Sequence, residues 1–185
     1  MPFEILHFRG SDEIIKDKNL EKDVQITLEY LNDALYGSIY RGELLRQALD
    51  EMDWRDNDNG ELKILDGRRY MYKGVKRGVA IEGNFSAYEY ILEGLFRLQV
   101  GFDKGQIETG ILMLTSMRSI KSSYGSSRDL AEAEVEMLYP TISMPVSIAL
   151  FDLGPPIISN GTEENIDGTS IPTDDNGTVK EADKR

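Results

Sequence analysis

In the stretch Gly78-Val79-Ala80-Ile81-Glu82-Gly83-Asn84-Phe85-Ser86, a short apolar run ends in one acid, a glycine and an amide. Taking a carboxylate out of water at the end of such a run is costly unless the charge is compensated or has a task, such as binding a metal ion. A second acid, Asp66, lies upstream. Between the two stand Arg68, Arg69, Lys73, Lys76 and Arg77, with no acid among them. Two carboxylates can hold a divalent cation and a flanking basic segment can face phosphates, so these residue types suit metal-assisted hydrolysis of a phosphodiester. They also admit a purely structural reading, with Glu82 paired to one of the cations and Asp66-Gly67 as an ordinary turn.

Several elements must position these residues. Leu20, Val24, Leu28, Leu31 and Leu35 recur at helical spacing and predict an N-terminal amphipathic helix. Leu44, Leu45, Ala48, Leu49 and Met52 form a second stripe that closes near Trp54, and Asp56-Asn57-Asp58-Asn59-Gly60 reads as a polar turn. Short strands are expected at Lys63–Leu65 and Tyr70–Tyr72, around Asp66-Gly67, and a third at Val79–Glu82. Ser86-Ala87-Tyr88-Glu89 is a capping box. The helix it opens carries Tyr88, Ile91, Leu92 and Leu95 on one face and is expected to stop near Gly101. Gly94 sits inside it, where glycine costs about 1 kcal/mol relative to alanine; close approach of another helix, or simple tolerance, would account for it.

Gly110–Leu114 is apolar enough for a strand covered on both faces. The segment from Lys121 to Arg128, with Ser122, Ser123, Ser126 and Ser127, is a hydroxyl-rich loop bounded by cations. Ala131, Val135 and Leu138 then mark a helix that Pro140 ends, and Val146–Phe151 is a last strand. Helices before and after a mixed set of strands imply an α/β class, with a mixed central β-sheet flanked by helices. The expected organisation is one domain over residues 1–156 and an acidic, disordered tail over 157–185.

Composition narrows the function classes. The 185 residues contain no cysteine, which removes disulfides, thiolate metal sites and cysteine nucleophiles together. No apolar run reaches the roughly 18–20 residues of a bilayer span, and Met1-Pro2-Phe3-Glu4 does not resemble a secretory signal, so a cytoplasmic location is expected. Asn160-Gly161-Thr162 and Asn176-Gly177-Thr178 match the glycosylation pattern only by chance on that reading. The net charge of −12 argues against indiscriminate nucleic-acid binding. Seven acids and three bases fall in Ser159–Arg185, which places −4 there and −8 on the rest. Where cations gather decides the matter, and they gather between Gly67 and Gly78. A single histidine, His7, leaves little material for a Ser-His-Asp triad or a histidine metal site. The acidic turn at Asp56–Gly60 lacks the downstream glutamate of a calcium loop, and neither a phosphate-binding loop nor a dinucleotide fingerprint is present.

From Val79 to Leu153 the chain resembles BglII/BstYI-type restriction endonucleases, with a more distant likeness to BamHI. The carrying residues are Val79-Ala80-Ile81-Glu82-Gly83-Asn84-Phe85, then Asp103-Lys104-Gly105-Gln106-Ile107-Glu108-Thr109-Gly110-Ile111-Leu112-Met113-Leu114, then the serine-rich loop and Met144-Pro145-Val146-Ser147-Ile148. Before Lys63 the likeness is poor apart from Trp54, and after Gly154 it is absent. The resemblance implies the restriction-endonuclease-like PD-(D/E)XK fold, and Mg²⁺-dependent cutting of palindromic double-stranded DNA by a homodimer, with a cognate methyltransferase in the same system. It implies Glu82 as the first acid of the active-site strand, Asn84 as the active-site residue two further on, and Asp66 as the upstream metal-binding acid, at a spacing closer to BamHI than to BglII. Asn57 falls loosely near a further active-site polar position. Arg68, Arg69, Lys73, Lys76 and Arg77 would meet phosphates. Lys121, Ser122, Ser123, Ser126, Ser127 and Arg128 would face DNA where relatives read bases, although their composition also fits a plain flexible loop. Tyr88, Ile91, Leu92, Gly94 and Leu95 would form the dimer interface. One departure stands out: lysine, glutamine or glutamate is usual where this chain has Asn84, and a neutral amide can hold a water but cannot act as a base. A catalytically silent DNA-binding or scaffolding dimer on the same fold is the alternative.

Overall fold

The computed structural model of the chain describes residues 3–55, 62–83, 85, 90–116 and 126–154. Its centre is a five-stranded mixed sheet in the order β1-β5-β4-β3-β2, built from β1 (Phe3–Phe8), β2 (Gly74–Lys76), β3 (Val79–Gly83), β4 (Thr109–Thr115) and β5 (Val146–Phe151). The three central strands are parallel, Ala80 facing Gly110 and Gly110 facing Val146, while the edge strands β1 and β2 run antiparallel to their neighbours. Parallel neighbours need long crossovers. Helix α4 (Tyr90–Asp103) joins β3 to β4, and α5 (Arg128–Met137) joins β4 to β5.

Helices cover both faces. On one side α1 (Ser11–Asp17), α2 (Glu21–Leu35) and α3 (Arg41–Glu51) bury Leu28, Leu31, Leu49 and Trp54 against Val79, Ile81, Ile111 and Met113. On the other, α4 and α5 bury Leu95, Leu98, Ala131 and Val135 against Ala80, Leu112, Val146 and Ile148. Every residue of β5, and all of β4 except Thr115, is buried, which is why these strands read as unbroken apolar runs. The α/β class, the two N-terminal stripes and the strands at Val79, Gly110 and Val146 are as expected. Strands β1 and β2 and helix α1 are additions.

Two local expectations need correction, on Gly94 and on the strands around Asp66, and a third is refined. Helix α4 ends at Asp103, near Gly101 as expected, but Gly101 itself lies within the helix and is small because a Cβ there would collide with Tyr72. Gly94 is small because of a strand: a Cβ there would lie 2.4 Å from Leu112 Cδ1 on β4. The segments around Asp66 form a hairpin held by one bridge between Lys63 and Met71, without regular strands. Among the described residues, no helix is long and apolar enough to cross a membrane. The turn at 56–60 with Asn57, the capping box, Asn84, Tyr88, the loop residues Lys121, Ser122 and Ser123, and the chain from 155 onward lie outside the described residues.

Candidate active site

Side chains alternate along a strand. In β3, Val79 and Ile81 point to the α1–α3 core and Ala80 to the α4 core, so Glu82 belongs to the α4 face. It has no exposed surface. The next residue must be glycine, since a Cβ at Gly83 would lie 2.9 Å from Met113 Cβ and 3.1 Å from its carbonyl oxygen. Beside Glu82 runs the segment leading into β2, where the Lys73 amide donates to the Ile81 carbonyl at 3.0 Å. Tyr72, just before it, is buried, and its hydroxyl makes no hydrogen bond among the described residues. Burial, and after it the charge of Glu82, push the Tyr72 phenol well above its usual value of 10.

The hairpin preceding Tyr72 is zipped by Ile64 N–H to Tyr70 O at 3.0 Å and Tyr72 N–H to Leu62 O at 2.8 Å. Asp66 and Gly67 form its tip, with Gly67 at φ 68°, and Asp66 is exposed there. Glu82 is therefore an interior carboxylate and Asp66 a surface one. Among the described residues, no group of three or more acids and histidines is arranged to hold a metal ion.

The basic segment divides by environment. Arg68 and Arg69 are exposed on the hairpin, and Arg69 and Lys73 line a pocket of about 260 Å³. Lys76 is a correction to the expected phosphate-facing set. Its ammonium lies 2.7 Å from Asp23, donates to the Met52 carbonyl at 3.5 Å and sits 5.8 Å from the Trp54 ring centre, so its charge is spent tying β2 to α2 and α3. Arg77 is exposed, in a left-handed turn at φ 50°, and donates to Lys18 O at 3.2 Å.

The described end of the serine-rich loop also departs from expectation. Ser126 is 1% exposed and donates to the Ser127 carbonyl, so it is closed off from any base edge. Ser127 caps α5, its hydroxyl accepting from Leu130 N–H at 3.3 Å. Arg128 is clamped between Glu4 and Glu132, which raise its already high pKa further. In α4, Ile91, Gly94 and Leu95 face the protein's own sheet and are not available to a second copy, whereas Leu92 and Phe96 are 55% and 58% exposed on the outer side. His7 hydrogen-bonds Ser147 at 2.9 Å, which in turn reaches Ser11 at 2.9 Å; this ties β1 and β5 to α1. Sequence reasoning did not single out Arg55, which links Asp50 at 3.0 Å to the Lys73 carbonyl at 2.6 Å; no local pattern announces a contact that spans the hairpin.

The architecture is a restriction-endonuclease-like α/β fold. The chain is similar to the crystal structure of restriction endonuclease BglII complexed with a DNA 16-mer, at 15% identity over 83% of this chain and 77% of that chain, with a TM-score of 0.59. It is also similar to free BglII, at 17% identity over 82% and 79%, with a TM-score of 0.53. No family model matches the chain, and no curated protein matches it in sequence.

Proposed function

We propose that the chain is a Mg²⁺-dependent endonuclease that hydrolyses phosphodiester bonds in palindromic double-stranded DNA as a homodimer. The observation that carries this reading is a carboxylate, Glu82, fully buried at the end of β3 in a fold shared with a restriction endonuclease. The donors on offer, Glu82 and Asp66 with a backbone carbonyl near Gly83 or Asn84, are all oxygens. Mg²⁺ prefers such ligands and keeps several waters, so the donor chemistry suits the ion, although among the described residues the interior Glu82 and the exposed Asp66 are not brought together as a metal site. When bound, Mg²⁺ supplies Lewis-acid charge at the phosphoryl group.

The remaining roles fall to the chain. Lys73 and Arg69 neutralise backbone phosphates and position the duplex without reading sequence. The Asn84 amide orients a water by hydrogen bonding but cannot take its proton, so proton removal is slow in this chain. Expected activity is correspondingly weak. Supercoiled plasmid incubated with the protein and Mg²⁺ should be nicked or linearised, chelation by EDTA should stop the reaction, and Glu82→Gln should lower the rate by at least about 100-fold, the upper end of what losing even a partner of a metal ligand costs. Wild-type protein that binds duplex DNA yet leaves it intact at every Mg²⁺ concentration would sink the enzyme reading. That result would favour a catalytically silent DNA-binding dimer, to which the neutral Asn84 and the exposed Asp66 lend specific support.

A further inference from the structure

The pocket touched by Arg69 and Lys73 is walled by three segments far apart in sequence. Helix α3 gives Arg46, the hairpin and its exit give Arg69 and Lys73, α4 gives Arg97, and Arg55 completes the wall. Five cations line it and no acid does, in a chain whose net charge is −12. Like charges repel, so such a cluster is unfavourable unless something anionic occupies it. Two of the five carry acidic partners, Asp50 on Arg55 at 3.0 Å and Glu93 on Arg97 at 2.5 Å. For Arg46, Arg69 and Lys73 no ion pair is present among the described residues.

Two of the guanidinium groups are held in place before any ligand arrives. Arg55 is fixed by Asp50 and the Lys73 carbonyl, and Arg97 by Glu93 and by the Tyr70 ring, whose centre is 5.9 Å away. A pre-oriented guanidinium loses little freedom on binding and matches two oxygens of a phosphate at once. A volume of about 260 Å³ is just below the range of roughly 300–1,000 Å³ that encloses whole ligands, so it suits one phosphate with its attached sugar. The wall is also next to the acid of the site, since Lys73 is hydrogen-bonded to Ile81, the neighbour of Glu82.

We infer that this pocket seats a backbone phosphate of the bound DNA strand, beside the reacting one, with Arg46, Arg55 and Arg97 as binding residues additional to Arg69 and Lys73. The inference rests on the nuclease reading for the source of the phosphate. The chemistry of the seat, a phosphate dianion or diester held by guanidinium groups, does not depend on it.

The test uses the full chain in EDTA, a fluorescein-labelled duplex followed by anisotropy across a salt series, and inorganic pyrophosphate followed by calorimetry. The double variant Arg46→Gln, Arg97→Gln should weaken duplex binding at least tenfold, reduce the salt slope by about one and lose pyrophosphate binding, while Lys104→Gln at an exposed site outside the pocket changes none of these. Circular dichroism confirms folding. If the double variant fails to fold, Arg46→Glu, on the exposed side of α3, is read alone with the same expectation. An unchanged duplex affinity and slope in the folded variant would overturn the seat and leave the nuclease reading standing. Wild-type protein that binds pyrophosphate through these arginines but not duplex at low salt would overturn the DNA source, and the nuclease reading with it. Binding neither would overturn both.

Discussion

Tyr72 shows how closely the site is packed. Its hydroxyl is buried without a hydrogen-bond partner among the described residues, and a Cβ on Gly101 would fall 1.6 Å from that oxygen. An unsatisfied buried hydroxyl costs about 1–3 kcal/mol, so Tyr72→Phe should leave stability unchanged or raise it by about 1 kcal/mol in urea titration. Gly101→Ala should be strongly destabilising, and Tyr72→Phe should recover part of that loss in a double-mutant cycle. The phenol also has a pH consequence. Its folded pKa lies above the unfolded value near 10, so the native state holds the proton that the unfolded chain releases. The stability tied to that proton is fully present below pH 10 and is lost as pH rises beyond it. Urea midpoints measured between pH 9 and pH 11 should therefore fall less steeply for Tyr72→Phe than for wild type.

At the level of elements, the meeting of β3 with β4 is the least forgiving contact near Glu82. Gly83→Ala would press on a Cβ and a backbone oxygen of Met113, neither of which can rotate away, and should cost about 1–3 kcal/mol by thermal or chemical unfolding. Lys76→Gln should lower stability measurably while leaving duplex affinity within twofold, since its ammonium is committed to Asp23 and Met52. These cases also explain what the sequence could and could not reveal. Val79–Glu82, Gly110–Leu114 and Val146–Phe151 were legible because both faces of each strand are buried, and α2 because its leucines keep one phase. Strand β2 has three residues and α1 only seven, too few for a period to show. Lys76 looked like its basic neighbours because its partner is Asp23, far back in the chain. The cationic pocket was invisible for the same reason, being assembled from α3, the hairpin and α4.

Over the whole molecule, charge and apolar surface are unevenly placed. With a net charge of −12 and five cations gathered on one wall, duplex affinity should fall as salt rises with the shallow slope of a few phosphate contacts. The proposed dimer has its own test on α4. Leu92 and Phe96 lie outward one turn apart, so Leu92→Glu with Phe96→Glu should give a folded monomer by sedimentation, whereas Leu95→Glu should unfold the chain. The pairing of β1 with β5 carries a consequence for synthesis. Phe3 lies opposite Phe151 and Phe8 opposite Val146. Because β1 precedes β5 in the chain, its edge must wait until Val146–Phe151 has been made before it is paired. A stalled nascent chain ending before residue 146 would present Phe3–Phe8 as an open strand, bound by chaperones and cut readily by protease, and protection should appear in one step once Phe151 has cleared the exit tunnel.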